Sequence, residues 1–128
     1  MDKNEVISNV SKAIVKAWNE CDYKAFIKHV DQDVIVLPQG ANSIVGIDAL
    51  KSFYSDFFKT FTFEVNETLD EITVFGNYAY TVGTWVGSMN PVNGSIPIPF
   101  NNAAIGIYKQ QPDGSWLVYR NIYNSNEE

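Results

Sequence analysis

The sequence predicts an α+β domain in which N-terminal helices pack on one face of a strongly curved, mostly antiparallel sheet. Apolar residues recur at helical spacing up to about residue 60, and from Phe61 onward they alternate with polar residues, as in half-buried strands. Helices that precede a series of antiparallel strands are typical of α+β folds. A chain of 128 residues is long enough for one such domain, which we expect to span residues 1–128.

The first two helices are predicted from apolar spacing and from capping residues. Residues 3–20 carry an amphipathic stripe, and Asp2 with Glu5 forms a capping box at its start. The stripe consists of Val6, Val10, Ala13, Ile14, Ala17, Trp18 and Cys21. Asp22 can cap a short second helix, which ends before the polar triplet at 31–33. Its apolar face consists of Phe26, Ile27 and Val30.

A short strand and a third helix complete the N-terminal half. The segment Val34–Leu37 is apolar throughout, as a buried strand would be, and it stops at Pro38. The third helix is expected to begin after Gly46, where the carboxylate of Asp48 suits the positive N-terminal end. Its apolar stripe consists of Leu50, Phe53, Tyr54, Phe57 and Phe58.

Strands with tight turns are predicted for the second half. Gly76-Asn77 supplies a hairpin turn, a Pro- and Gly-rich connector follows the second arm, and Pro112-Asp113-Gly114 supplies a further turn. The strands are expected from Phe61 to the first turn, from 78 to about 88, from about 100 to 110, and from 115 to 124.

Composition and charge exclude several classes of function. Fifteen Asp and Glu against nine Lys and Arg give a net charge of −6, which is the wrong sign for an electrostatic nucleic-acid binder. No apolar run approaches the roughly 20 residues needed to cross a bilayer, and the N-terminus lacks an apolar signal segment, so we expect no membrane partner and a cytoplasmic location. The lone Cys21 allows no internal disulfide, and no metal-ligand or phosphate-binding motif occurs, so we expect no cofactor and no metal.

Five tracts, in this order, carry a resemblance to a known superfamily. They are AWNECD, VIVLPQG…IVG, AYTVGTW, YKQQPDGSW and YRNIYNS. Over about residues 6–125 the chain resembles the nuclear transport factor 2 superfamily, and within it the SnoaL-like, ketosteroid-isomerase-like bacterial branch. The resemblance implies a cone, in which helices close the mouth of a bent sheet around an apolar cavity, and a homodimer through the outer sheet face. The superfamily includes isomerases, cyclases, dehydratases, epoxide hydrolases and binding modules, so the site must decide the function.

The catalytic groups that the resemblance implies are missing at the matching positions. An isomerase base would stand where this sequence has Leu37, and the two oxyanion donors would stand where it has Ile14 and Ile105. We therefore expect an apolar wall there. An epoxide-hydrolase-like cluster is not expected, because the only arginine, Arg120, is predicted to face outward. A dehydratase-like histidine pair is excluded by the single His29, whose protonated form the end of the second helix should favour.

Aromatic and neutral polar residues remain as candidate ligand-binding groups. Leu117, Tyr119, Asn121 and Tyr123 share one face of the last strand, and the resemblance directs that face to the cavity. Relatives commonly carry Asp in place of Asn121 and Glu in place of Thr81, so each difference keeps a hydrogen-bonding group and removes a titrating one. The candidate ligand-binding residues are Trp18, Tyr54, Phe58, Thr81, Trp85, Tyr119, Asn121 and Tyr123. Asn101 and Asn102 are expected to be turn residues.

Three functions stay open at this point. The first is a homodimer that binds a small, largely apolar molecule in the cavity. The second is an isomerase, cyclase or dehydratase of a small polyketide- or steroid-like substrate, in which a Tyr hydroxyl or an acid such as Asp33 or Asp56 moves the proton. The third is an assembly module that acts through its outer sheet. Residues 103–107 are apolar on both strand faces, which favours a dimer through that sheet.

Overall fold

A computed structural model describes residues 2–126, in which helices precede most of the sheet. The elements are α1 (Lys3–Asn19), α2 (Tyr23–Ile27), β1 (Val30–Leu37), β2 (Ile44–Val45), α3 (Ile47–Thr60), β3 (Phe61–Phe75), β4 (Tyr78–Pro91), β5 (Ile98–Gln110) and β6 (Trp116–Ser125). The strands form one sheet in the order β2-β1-β6-β5-β4-β3, in which β1 and β6 run parallel and all other neighbours antiparallel. The predicted α+β class is confirmed.

The capping residues begin the helices where the sequence predicts. The Asp2 carboxylate accepts a hydrogen bond from the backbone N–H of Glu5 at 2.9 Å, and the Asp22 carboxylate accepts one from the N–H of Ala25 at 3.1 Å. Gly46 precedes α3 with a φ of +85°, a conformation that side-chain-bearing residues rarely adopt. The predicted helix starts are therefore confirmed.

The region between α2 and α3 differs from the prediction. Helix α2 ends at Ile27, and β1 begins at Val30, so the polar triplet at 31–33 lies inside the strand. The strand tolerates it because the buried Asp31 carboxylate accepts hydrogen bonds from the N–H of Asp33 and the side-chain amide of Gln111, both at 2.8 Å. Between the predicted strand end at Pro38 and the helix start after Gly46, the sequence did not indicate the two-residue strand β2, which pairs with β1.

Helix α1 is held against β3, the last strand of the sheet. The side chain of Asn19 pairs with the backbone of Val65, donating to its carbonyl at 3.1 Å and accepting from its N–H at 2.6 Å. These two bonds satisfy backbone groups on an edge strand that has no further strand beside it. Helix α1 is thereby fixed across the inner face of the sheet.

A bulge in β6 changes which of its residues face the helices. Tyr108 of β5 pairs with Val118 and Ile107 pairs with Arg120, so that Tyr119 is an extra residue opposite the step between them. The alternation of inward-facing and outward-facing residues along β6 is therefore shifted by one residue after Tyr119.

None of the helices within residues 2–126 is long and apolar enough to cross a membrane.

Candidate functional site

A cavity of about 390 Å³ lies between the inner sheet face and the three helices. Its volume is within the range of roughly 300–1,000 Å³ that is usual for small-molecule sites. Most of its wall is apolar or aromatic. The apolar and aromatic lining includes Ile14, Trp18, Phe26, Val34, Val36, Leu50, Phe53, Tyr54, Phe57, Phe63, Trp85, Met89, Phe100, Ala104, Tyr108, Val118 and Tyr123.

Glu67 of β3 is the charged residue in this wall. One carboxylate oxygen accepts a hydrogen bond from the Ser11 hydroxyl at 2.6 Å, and the other accepts one from the indole N–H of Trp85, also at 2.6 Å. The hydroxyl of Tyr108 joins the group through a side-chain hydrogen bond with Ser11. Burial raises the pKa of Tyr108 to about 12, with the Ser11 bond lowering it and the charge of Glu67 raising it.

A second polar group lies on three adjacent strands. Thr81 of β4 pairs with Gly106 of β5, which pairs with Asn121 of β6, so all three are in register on the inner face. A Cβ atom on Gly106 would lie 3.2 Å from the Thr81 hydroxyl and 3.7 Å from the Asn121 amide nitrogen. The absence of a side chain at Gly106 therefore leaves the Thr81 hydroxyl and the Asn121 amide open to the cavity.

Tyr54 and Trp18 of the helices and Tyr123 of β6 bring hydroxyl and indole groups to the cavity wall. Burial raises the pKa of Tyr54 well above its ordinary value, and the neighbouring Tyr123 raises it further. Burial raises the pKa of Tyr123 as well. The indole N–H of Trp18 is buried and has no hydrogen-bond partner among residues 2–126. An unpaired buried donor costs about 1–3 kcal/mol of stability.

Sequence comparison places the chain in a family. A family model described as SnoaL-like domain matches residues 12–118. The chain is a member of the SnoaL-like family. No curated protein matches it.

Solved structures with the same fold extend along the whole chain of this SnoaL-like domain. A ketosteroid isomerase-like protein from Erwinia carotovora atroseptica superposes with a TM-score of 0.88 at 20% identity, covering 99% of this chain and 98% of its own. A conserved protein from Planctomyces limnophilus gives 0.85 at 19%, covering 94% of each chain. A nuclear transport factor 2-like superfamily protein from Salmonella enterica serovar Typhimurium gives 0.81 at 15%, covering 98% of this chain and 92% of its own. At these identities the likeness establishes the nuclear transport factor 2-like fold.

The cavity of the SnoaL-like domain brings together most of the predicted site residues, but not two of them. Those in the lining are Trp18, Tyr54, Thr81, Trp85, Asn121 and Tyr123. Phe58 is 7% exposed and belongs to the core, while Phe53 and Phe57 line the cavity from the same helix. Tyr119 lies outside, because the β6 bulge turns its ring under the Arg120 guanidinium, 3.8 Å from the ring centroid. The expectation that Tyr119 faces the cavity is wrong.

Several other placements correct the sequence prediction. Leu37 and Ile105 are 41% and 46% exposed and face outward, so Val36 and Ala104 form the wall in their stead. Asn102, expected in a turn, lies in β5 and lines the cavity. Burial, with a smaller effect of Lys28, lowers the pKa of His29, contrary to the expected preference for the protonated form.

The two acids named for the proton-transfer hypothesis do not reach the cavity. Asp33 and Asp56 are exposed, and neither they nor Arg120 lines the cavity. Within residues 2–126, no group of three or more His, Cys, Asp or Glu side chains could hold a metal ion.

Sequence reasoning missed Glu67, although β3 contains a signal for it. Phe63, Val65 and Leu69 alternate on one strand face, and Glu67 stands in the same phase. An acidic residue on the strand face whose other residues are apolar either forms hydrogen bonds within the protein or binds a ligand. Here the helix α1 serine and the β4 tryptophan provide those partners.

The Tyr108 hydroxyl should make stability fall in alkaline solution. Its pKa is 10.0 in the unfolded chain and about 12 in the fold, so between these values the folded state binds more protons. We expect Tyr108 to contribute about 2–3 kcal/mol to the decline of the free energy of unfolding across this window, in addition to the contributions of Tyr54 and Tyr123, whose pKa burial also raises. Urea unfolding at about pH 9 and about pH 11.5 measures the decline. Tyr108→Phe should reduce it and Tyr119→Phe should not, whereas equal declines in wild type and Tyr108→Phe would contradict the assignment.

Proposed function

We propose that this SnoaL-like domain binds a small, largely apolar molecule in the cavity between helices and sheet. The observation that supports this proposal is an unfilled cavity of about 390 Å³ whose apolar wall carries a few convergent polar groups. A domain that served only assembly would have no need of such a space, since an unfilled interior costs stability.

The Thr81 hydroxyl and the Asn121 amide are suited to orient such a molecule. Both groups line the cavity over the side-chain-free Gly106, and an amide can donate to and accept from a ligand oxygen. Tyr54 and Tyr123 keep their hydroxyl protons because burial raises their pKa, so they serve as neutral donors. A ligand with one or two oxygens on an apolar frame fits these groups.

Filling the cavity should abolish binding. Ala104 of β5 lines the cavity, whereas Ala103 is its outward neighbour on the same strand. In a thermal-shift screen of apolar carbonyl, phenol and terpenoid compounds, Ala104→Phe should remove the shifts that hits give with the wild-type protein. Ala103→Phe should keep them. Asn121→Leu should weaken hits that carry oxygen by about 0.5–1.5 kcal/mol. Hits that bind Ala104→Phe as well as the wild type would contradict a cavity site.

We also propose that the outer sheet face forms a homodimer. Leu37 of β1, Ile122 of β6 and Ile105 of β5 are in register across the sheet, and their exposures are 41%, 47% and 46%. The row continues to Val82 of β4, which pairs with Ile105. A contiguous exposed apolar row marks a contact surface, and a row on one sheet face can meet its own copy about a two-fold axis.

A charge in this row should dissociate the dimer. We expect sedimentation velocity to give a dimer for the wild type and a monomer for Ile105→Lys, because a lysine would be buried without a partner. Ile96→Lys is the matched control, since Ile96 is 86% exposed in the loop between β4 and β5. A wild-type monomer, or a dimer that survives Ile105→Lys, would contradict this interface.

Glu67 supports a second candidate function, a proton-transfer enzyme of the isomerase, cyclase or dehydratase sort. A carboxylate that lines an apolar cavity can take a proton from carbon beside a ligand carbonyl and return it elsewhere. Tyr54 and Tyr123, as neutral donors, could stabilise the enolate oxygen that this step forms.

Isotope exchange tests this candidate. Carbonyl compounds that bind the protein are incubated with it in D₂O, and NMR follows replacement of the α C–H by C–D. Exchange faster than in protein-free buffer, lost in Glu67→Gln and kept in the exposed Glu64→Gln, is the expected result. Exchange at the buffer rate for every bound carbonyl would leave binding as the function.

A further inference from the structure

The cavity wall carries one uncompensated negative charge. Among the described residues that line it, Glu67 is the single acidic side chain, and none is Lys, Arg or His. The protein as a whole has a net charge of −6, which adds to the negative potential in the cavity. An anionic ligand would meet repulsion without any cation to offset it.

The Glu67 carboxylate is fixed in place but keeps room for a further partner. Ser11 and Trp85 each donate one hydrogen bond, to different oxygens, at 2.6 Å. Each carboxylate oxygen can accept two, so one acceptor position remains on each. Glu67 also lines a second depression, to which Lys12 contributes. Among residues 2–126, however, Glu67 forms no ion pair within 4.0 Å. The Glu67 carboxylate is therefore stabilised only by the uncharged donors of Ser11 and Trp85.

Aromatic rings surround the same space. The Trp85 ring that binds Glu67 meets the Trp18 ring edge to face at 5.4 Å between centroids. Trp18 also contacts Tyr54 at 5.5 Å and Phe57 at 6.2 Å, and all four rings line the cavity. The negative faces of aromatic rings attract cations, most strongly for tryptophan. Aromatic rings of this kind bind organic ammonium ions, and a carboxylate beside them can pair with the positive charge.

We propose that the ligand of this cavity is an organic amine cation, whose ammonium head pairs with Glu67 and whose apolar remainder packs on the aromatic wall. This inference rests on the proposed binding function and narrows its ligand class. A neutral alcohol would gain only a hydrogen bond at Glu67, whereas an ammonium ion also neutralises the charge of this half-buried carboxylate. A primary amine can in addition donate to both free acceptor positions.

Three probes that share a phenyl ring and differ in their head group test the inference by isothermal titration calorimetry at about pH 7.5 and low salt. They are 2-phenylethylamine, 2-phenylethanol and 3-phenylpropionate. We expect the amine to bind about tenfold or more tighter than the alcohol, and the carboxylate to bind most weakly. Glu67→Gln should lower the amine affinity by about tenfold or more and leave the alcohol nearly unchanged. Glu64→Gln, on the exposed face of β3, should alter neither.

The results of these titrations distinguish the inference of a cationic ligand from the proposed binding of an apolar molecule. Equal affinity of amine and alcohol for the wild type, or an amine affinity that Glu67→Gln does not lower, overturns the cation inference and leaves apolar binding intact. Failure of all three probes and of the whole apolar screen overturns both. If Glu67→Gln does not fold, the wild-type comparison of amine and alcohol still decides, and trimethyl(2-phenylethyl)ammonium bound as tightly as the amine supports recognition of charge.

Discussion

The packing of the Trp18 indole is the interaction on which the architecture depends. Its ring contacts Phe26 of α2, Phe58 of α3 and Phe63 of β3, at centroid distances of 5.5, 4.9 and 4.8 Å. A single side chain of α1 therefore connects the other two helices to the sheet. These contacts fix the helices against the sheet, and Trp18 also lines the cavity between them.

The interior beneath these contacts is not solidly packed. Strands β3, β4 and β5 are the longest of the sheet, with 15, 14 and 13 residues, and β5 contributes the small residues Ala104 and Gly106 to the cavity wall. Small residues on a concave surface leave volume, and the protein places hydrogen-bonding groups around that volume. Glu67 adds the one charged side chain among the described residues that line it.

Most of the fold could be predicted from sequence, whereas the site could be predicted only in part. Helix caps and hairpin turns are local signals, so Asp2, Asp22 and the Gly76-Asn77 turn were located correctly. The facing of Tyr119 could not be predicted, because a bulge depends on pairing with β5 and not on the β6 sequence alone. Glu67 was missed because its partners, 56 residues and 18 residues away, meet it only in the folded chain.

The bulge at Tyr119 also divides the last strand into two parts that selection can treat separately. On its N-terminal side Trp116 is buried in the core and Val118 lines the cavity, and on its C-terminal side Asn121 and Tyr123 line the cavity. Loss of one residue at this point would restore a regular ladder and reverse the orientation of one part relative to the other. Descendants of this chain could therefore acquire a different chemistry through a single-codon deletion, without any new side chain.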